Sequence, residues 1–147
     1  MRTFAFVHGD PDMSLVPPIE YDDASPAVRA VYDDIMATRR IPAVNNFWKV
    51  LAHDPAELAR VWSQVKAVMA DGALDPLVKE MLYIAVSITN NCEYCIHSHT
   101  ASARGKGMTA AMFHELVAVV SLANVTNRIA NGYRIDVDPR FRDPLAP

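Results

Sequence analysis

Glu80-Met81-Leu82-Tyr83-Ile84-Ala85-Val86-Ser87-Ile88-Thr89-Asn90-Asn91-Cys92-Glu93-Tyr94-Cys95-Ile96-His97-Ser98-His99-Thr100-Ala101-Ser102-Ala103-Arg104-Gly105-Lys106-Gly107 is the stretch that decides the reading of this chain. Its first part is nearly apolar at every helical position, with Leu77, Val78, Met81, Leu82, Ile84, Ala85, Val86 and Ile88, so it predicts a central, buried helix. Asp75-Pro76 is its start signal, and Asn90-Asn91 interrupts it. A second helix is predicted from Cys92 to about Gly105–Gly107.

Both cysteines of the chain lie here, three residues apart. On a helix, Cys92, Cys95 and His99 share one face, because residues three and four apart are neighbours. Helical rise and radius put the two cysteine Cα atoms about 5 Å apart, inside the window for a disulfide. The first turn of a helix favours thiolate. His99, one turn beyond Cys95, can take or relay its proton. Glu80 begins an apolar run, where a lone carboxylate needs a partner. Tyr83 and Ser87 continue its face. If the two helices pack antiparallel across Asn90-Asn91, that polar face meets His99, and Glu80 orients the imidazole and sets its basicity.

The segments on either side also read as helical. Ser25-Pro26 predicts a capped start, Val28, Val31, Ile35 and Met36 recur at helical spacing, and Pro42 prevents continuation. Asn45-Asn46 opens a short helix with Phe47, Trp48, Val50 and Leu51. Asp54-Pro55-Ala56-Glu57 predicts a capping box, followed by Leu58, Val61, Trp62, Val65, Val68 and Met69 to a stop at Gly72. Thr109 caps a last long helix, from Met112 and Phe113 through Val125, ending near Gly132. No segment reads as a strand. The expectation is an all-α, single-domain bundle of about six helices: an extended arm over residues 1–24, where Pro11, Pro17 and Pro18 interrupt any period, a helical domain over 25–135, and an irregular tail over 136–147.

The 147 residues are enough for one ordinary domain. They are 51% hydrophobic and 21% charged, the balance of a globular chain, and the net charge of −3 gives no footprint for nucleic acid. No segment approaches the roughly 18 uninterrupted apolar residues of a membrane span. The N-terminal apolar run, ended by His8-Gly9-Asp10-Pro11, is too short for a signal peptide. A cytosolic location is therefore expected, where a cysteine pair is catalytic or metal-binding more often than structural.

Glu80, Cys92 twelve residues on, Cys95, and His99 four further resemble the signature of the alkylhydroperoxidase AhpD family, within the carboxymuconolactone decarboxylase superfamily. Weaker similarity runs through Gly105, Gly107 and Asn124-Val125-Thr126-Asn127-Arg128. The resemblance implies an all-α homo-oligomer with an antioxidant role, reducing small hydroperoxides by a dithiol/disulfide cycle. It assigns the proton relay to Glu80 and His99, peroxide attack to Cys95, and resolution to Cys92. A dithiol or thioredoxin-like protein would be the reductant, with no metal or organic cofactor. Tyr94 departs from the pattern, since AhpD itself has a histidine between the cysteines.

Blander readings stand beside these. The cysteines could be small buried hydrophobes, or could bind zinc with His97 and His99, although His97 points off the shared face. Glu80 could pair with an arginine at a subunit contact. Trp48, Trp62 and Phe113 read as core or interface aromatics, and Asn124, Asn127, Arg128 and Asn131 as a polar strip. The rival functions are a non-redox, decarboxylase-type member of the superfamily, which would typically lack the cysteine pair, and a redox sensor or scaffold without turnover.

Overall fold

A computed structural model of the chain describes residues 14–142. They are all-helical, with six α-helices and no strand among the described residues, as the hydrophobic periods predict. Residues 1–13 of the expected arm, Pro11 among them, and residues 143–147 of the expected tail lie outside the described residues. The chain divides into two compact units at Ala70 and Asp71.

In the first unit, α1 (Pro26–Arg39), α2 (Asn46–Leu51) and α3 (Pro55–Met69) surround a core of Val28, Tyr32, Ile35, Trp48, Leu58 and Trp62. Ser25 Oγ accepts the Val28 amide, and Asp54 Oδ1 accepts the amides of Ala56 and Glu57. The capping box is completed on one side only: the Glu57 carboxylate turns to Arg60, which offers a charged partner. The described part of the arm is tied down at Ile19, whose amide donates to the Lys49 carbonyl and whose carbonyl accepts the Tyr32 hydroxyl. Trp48 and Trp62 meet edge to face and are buried.

In the second unit, α4 (Pro76–Thr89) packs mainly against α5 (Glu93–Gly105) and also against α6 (Ala110–Tyr133); a single 3-10 turn follows at Pro139–Phe141. Ile84, Ala103, Met108, Leu116 and Val120 are its buried apolar residues, and Phe113 packs on them.

Two helix stops fix α5 in register. At the first, Asn91 adopts a left-handed conformation (φ 56°), its amide donates to Ile88 and the Cys92 amide to Ser87. Asparagine tolerates that region better than most residues with a Cβ. At the second, Gly107 (φ 96°) plays the same part: its amide donates to Arg104 and that of Met108 to Ala103. Thr109 then caps α6 by accepting the Met112 amide, as its position predicts.

The expectation of a fully buried α4 is corrected. Only Glu80, Ile84 and Ser87 of this helix are buried, whereas Val78, Leu82 and Val86 are exposed. Helices α5 and α6 cover part of its circumference, and the apolar remainder faces outward. The same holds for α6, where Val119, Leu122, Val125 and Ile129 are exposed. A groove of about 300 Å³ runs between the two helices, lined by Val86, Thr89, Val119, Val120, Asn124 and Asn127 among others. Asn124 ties the pair together by donating to Thr89 Oγ1 and to the Val120 carbonyl.

Candidate active site

The turn at Asn90-Asn91 reverses the chain so that α5 runs back along α4. Cys92 is thereby the cap of α5, with its sulfur accepting the Cys95 amide at 3.4 Å. The two cysteines are joined as a disulfide, with Cα atoms 5.3 Å apart, as helical geometry predicts. Both are half-buried at the start of the helix, beside exposed Tyr94.

One turn beyond Cys95, the His99 ring is held from two sides. Its Nδ1 lies 2.7 Å from Glu80 Oε2 on α4. Tyr83, also on α4, stacks on the ring with centroids 3.9 Å apart and planes 15° from parallel. When the imidazole is neutral, the carboxylate selects the tautomer with the proton on Nδ1, which leaves the Nε2 lone pair as the base. Four of the residues singled out in the sequence thus fall into two joined pairs, Glu80 with His99 and Cys92 with Cys95.

Glu80 is 4% exposed and its carboxylate is fully engaged. Oε2 accepts from His99, and Oε1 accepts from Ser102 Oγ and Lys106 Nζ, each at 2.7 Å. Lys106 also donates to Ser102 at 2.8 Å. Burial alone would push the Glu80 carboxyl up; the bonds from His99, Lys106 and Ser102, with the lysine's charge, outweigh it and hold the group down at about 2. Glu80 therefore remains an anion throughout the physiological range.

Ser102 and Lys106 are the site residues that the sequence reading passed over. The signal for them was present: Cys92, Cys95, His99, Ser102 and Lys106 follow one another at spacings of three and four, a single face along the whole of α5. Ser87 is buried, but its hydroxyl donates to the Tyr83 carbonyl inside its own helix. His97 is exposed and lies 4.0 Å from Glu93, away from the site. Among the described residues, no group of three or more His, Cys, Asp or Glu side chains is arranged to hold a metal ion.

Chemically, the arrangement joins a redox-capable sulfur pair to an oriented base with a fixed anion behind it. Comparison with known proteins shows the family. Residues 56–136 match the carboxymuconolactone decarboxylase family (CMD). An uncharacterized protein encoded in the cox locus of Paracoccus denitrificans is 38% identical over 38% of this chain, and the match spans half of that relative's length. An uncharacterized protein of Cupriavidus necator is 27% identical over 54% of this chain and 72% of its own. The crystal structure of the alkylhydroperoxidase AhpD core from Rhodospirillum rubrum is similar over most of the chain: 51% identical, with a TM-score of 0.84, covering 88% of this chain and 97% of that one. With more than half its length matched and a fold shared with that core, the chain belongs to the carboxymuconolactone decarboxylase family and is AhpD-like.

Proposed function

We propose that the chain is a thiol-dependent peroxidase that reduces small hydroperoxides through a Cys92–Cys95 dithiol/disulfide cycle, with Glu80 and His99 as its proton relay. The observation that carries this is the 2.7 Å bond between Glu80 and His99 one helical turn from a cysteine already paired with its neighbour.

In the reduced protein, His99 Nε2 takes the Cys95 proton. The thiolate attacks the terminal oxygen of ROOH, the O–O bond breaks, and the proton from His99 leaves with the alkoxide as ROH. Cys95 is then a sulfenic acid. The Cys92 thiol condenses with it, forming the S–S bond and releasing water. An external dithiol or thioredoxin-like protein supplies two electrons and two protons to reopen the disulfide by exchange. The choice of Cys95 over Cys92 rests on its being one turn from the oriented base, since Cys92 has only the solvent-screened helix end to favour its thiolate.

A cycle that needs continual reduction suits the cytosol, the location we assign. We further assign a homo-oligomer, supported by the exposed apolar faces of α4 and α6. Turnover of cumene or tert-butyl hydroperoxide with dithiothreitol is the test. Activity well above a Cys95→Ser control is expected, and none above that control with any of several dithiols would overturn the reading. A redox-responsive scaffold is favoured by the same apolar faces. A change of oligomer on oxidation, without turnover, would select it.

A further inference from the structure

The buried carboxylate of Glu80 has two candidate countercharges, the imidazolium of His99 and the ammonium of Lys106, one on each oxygen. If His99 were the only one, burial of the anion would demand a protonated ring, and a protonated ring is no base. Lys106 removes that demand. Its side chain is 37% exposed at the end of α5, so its stem lies in solvent while its Nζ reaches in to Glu80.

We propose that Lys106 is a positioning residue of this site: it neutralises Glu80 from the side away from His99, keeps Glu80 a permanent anion that orients the ring without taking its proton, and so lowers the pH at which the cysteine pair becomes reactive. Ser102 completes the clamp by donating to the same Glu80 oxygen and accepting from Lys106. The groups bonded or stacked in this cluster are Glu80 and Tyr83 from α4, and His99, Ser102 and Lys106 from α5 and its cap; Cys92 and Cys95 continue the same helical spacing, and Lys79, Glu93 and Arg104 are the other Lys, Arg, Asp or Glu residues of those helices. No charged side chain of α6 bonds to it among the described residues. The inference rests on the peroxidase reading for the use made of the reactivity, not for the reactivity itself.

The sign follows from charge. Removing a cation makes every nearby proton harder to remove, whether it is on the ring or on the thiol. The experiment is the rate of Cys95 alkylation by iodoacetamide between pH 5 and 9, in the 147-residue chain carrying Cys92→Ser so that only one thiol is read. Adding Lys106→Met should move the acid limb of that profile to higher pH by about half a unit or more, the scale of one partly screened charge. Lys106→Arg should restore the parent limb, and added salt should narrow the difference. Lys106→Gln serves if the methionine variant does not fold. A limb in Lys106→Met or Lys106→Gln coincident with the parent's, in a protein with parental circular dichroism, overturns the proposal, because a merely structural lysine would alter melting and leave the limb in place. Peroxide turnover measured alongside separates the two ideas. A shifted limb in a chain that never turns over peroxide upholds Lys106 and removes the peroxidase; turnover with an unmoved limb does the reverse.

Discussion

Glu80 on α4 and His99 on α5 meet at 2.7 Å, nineteen residues apart in sequence, with the ring clamped between that carboxylate and the face of Tyr83. The bond crosses from one helix to the next, so it holds the α4–α5 hairpin together as well as orienting the base. On the proposed mechanism stability and reactivity share one carboxylate, and changes to it should register in both.

The pH dependence of folding should show this. Glu80 titrates at about 2 in the folded chain against an ordinary value of 4.5. Between those values the unfolded chain binds the extra proton, so stability rises with pH there. The stabilisation is complete above about pH 4.5 and is lost as pH falls towards 2. Its size is on the order of 3 kcal/mol. Glu80→Gln should abolish this component: the gap between the urea midpoints of parent and variant should be widest above about pH 5 and should close as pH falls to about 2. A difference that stays constant across the range would contradict the linkage.

The order of the sulfur chemistry can be read from trapped intermediates. With one equivalent of hydroperoxide, Cys92→Ser should accumulate a sulfenic acid on Cys95, visible by mass spectrometry after dimedone labelling. Cys95→Ser should lose peroxide reduction almost entirely, with little label on Cys92. Label appearing chiefly on Cys92 in Cys95→Ser, at the rate seen for Cys95, would reverse the assigned roles.

Tyr83 holds the His99 ring by stacking, and no hydrogen bond between them is involved in that contact. Tyr83→Phe should therefore keep near-parental activity. Tyr83→Ala should lose about tenfold or more in kcat, because loosening a base by a fraction of an ångström is enough to cost that much. Steady-state peroxide reduction on both variants gives the comparison, and equal losses would show that the hydroxyl matters instead.

Much of this was legible because the punctuation is local. Ser25-Pro26, Asp54-Pro55, Asp75-Pro76 and Thr109 all cap the helices they announce, through bonds to amides two or three residues away. The site was legible as far as helical spacing reaches: Cys92, Cys95 and His99 on one face, Glu80 and Tyr83 on another, joined by a short turn. Lys106 and Ser102 were harder to see, since lysine and serine near a helix end serve capping and solvation in most chains. Burial was the least legible property. The apolar run of α4 does not state which of its side chains one copy buries, and Leu82 and Val86 are exposed. The same ambiguity applies to α6.

Leu122 on α6 tests what covers that face. It is 65% exposed, between exposed Val119 and Val125, and no charged residue occurs between Leu116 and Asn127. A neutral apolar row of this kind can meet an identical row on a second copy without like-charge repulsion, as a two-fold interface requires. In an isolated chain Leu122→Glu would replace an exposed side chain by another good helix former, at a cost within about 0.5 kcal/mol. In an assembly built on this face, each copy would bury a charge against its partner. The variant should thus keep parental helicity by circular dichroism but fall to a smaller mass by light scattering, and lose several degrees in Tm as cover is removed. An unchanged mass and Tm in Leu122→Glu would mean that subunits meet elsewhere.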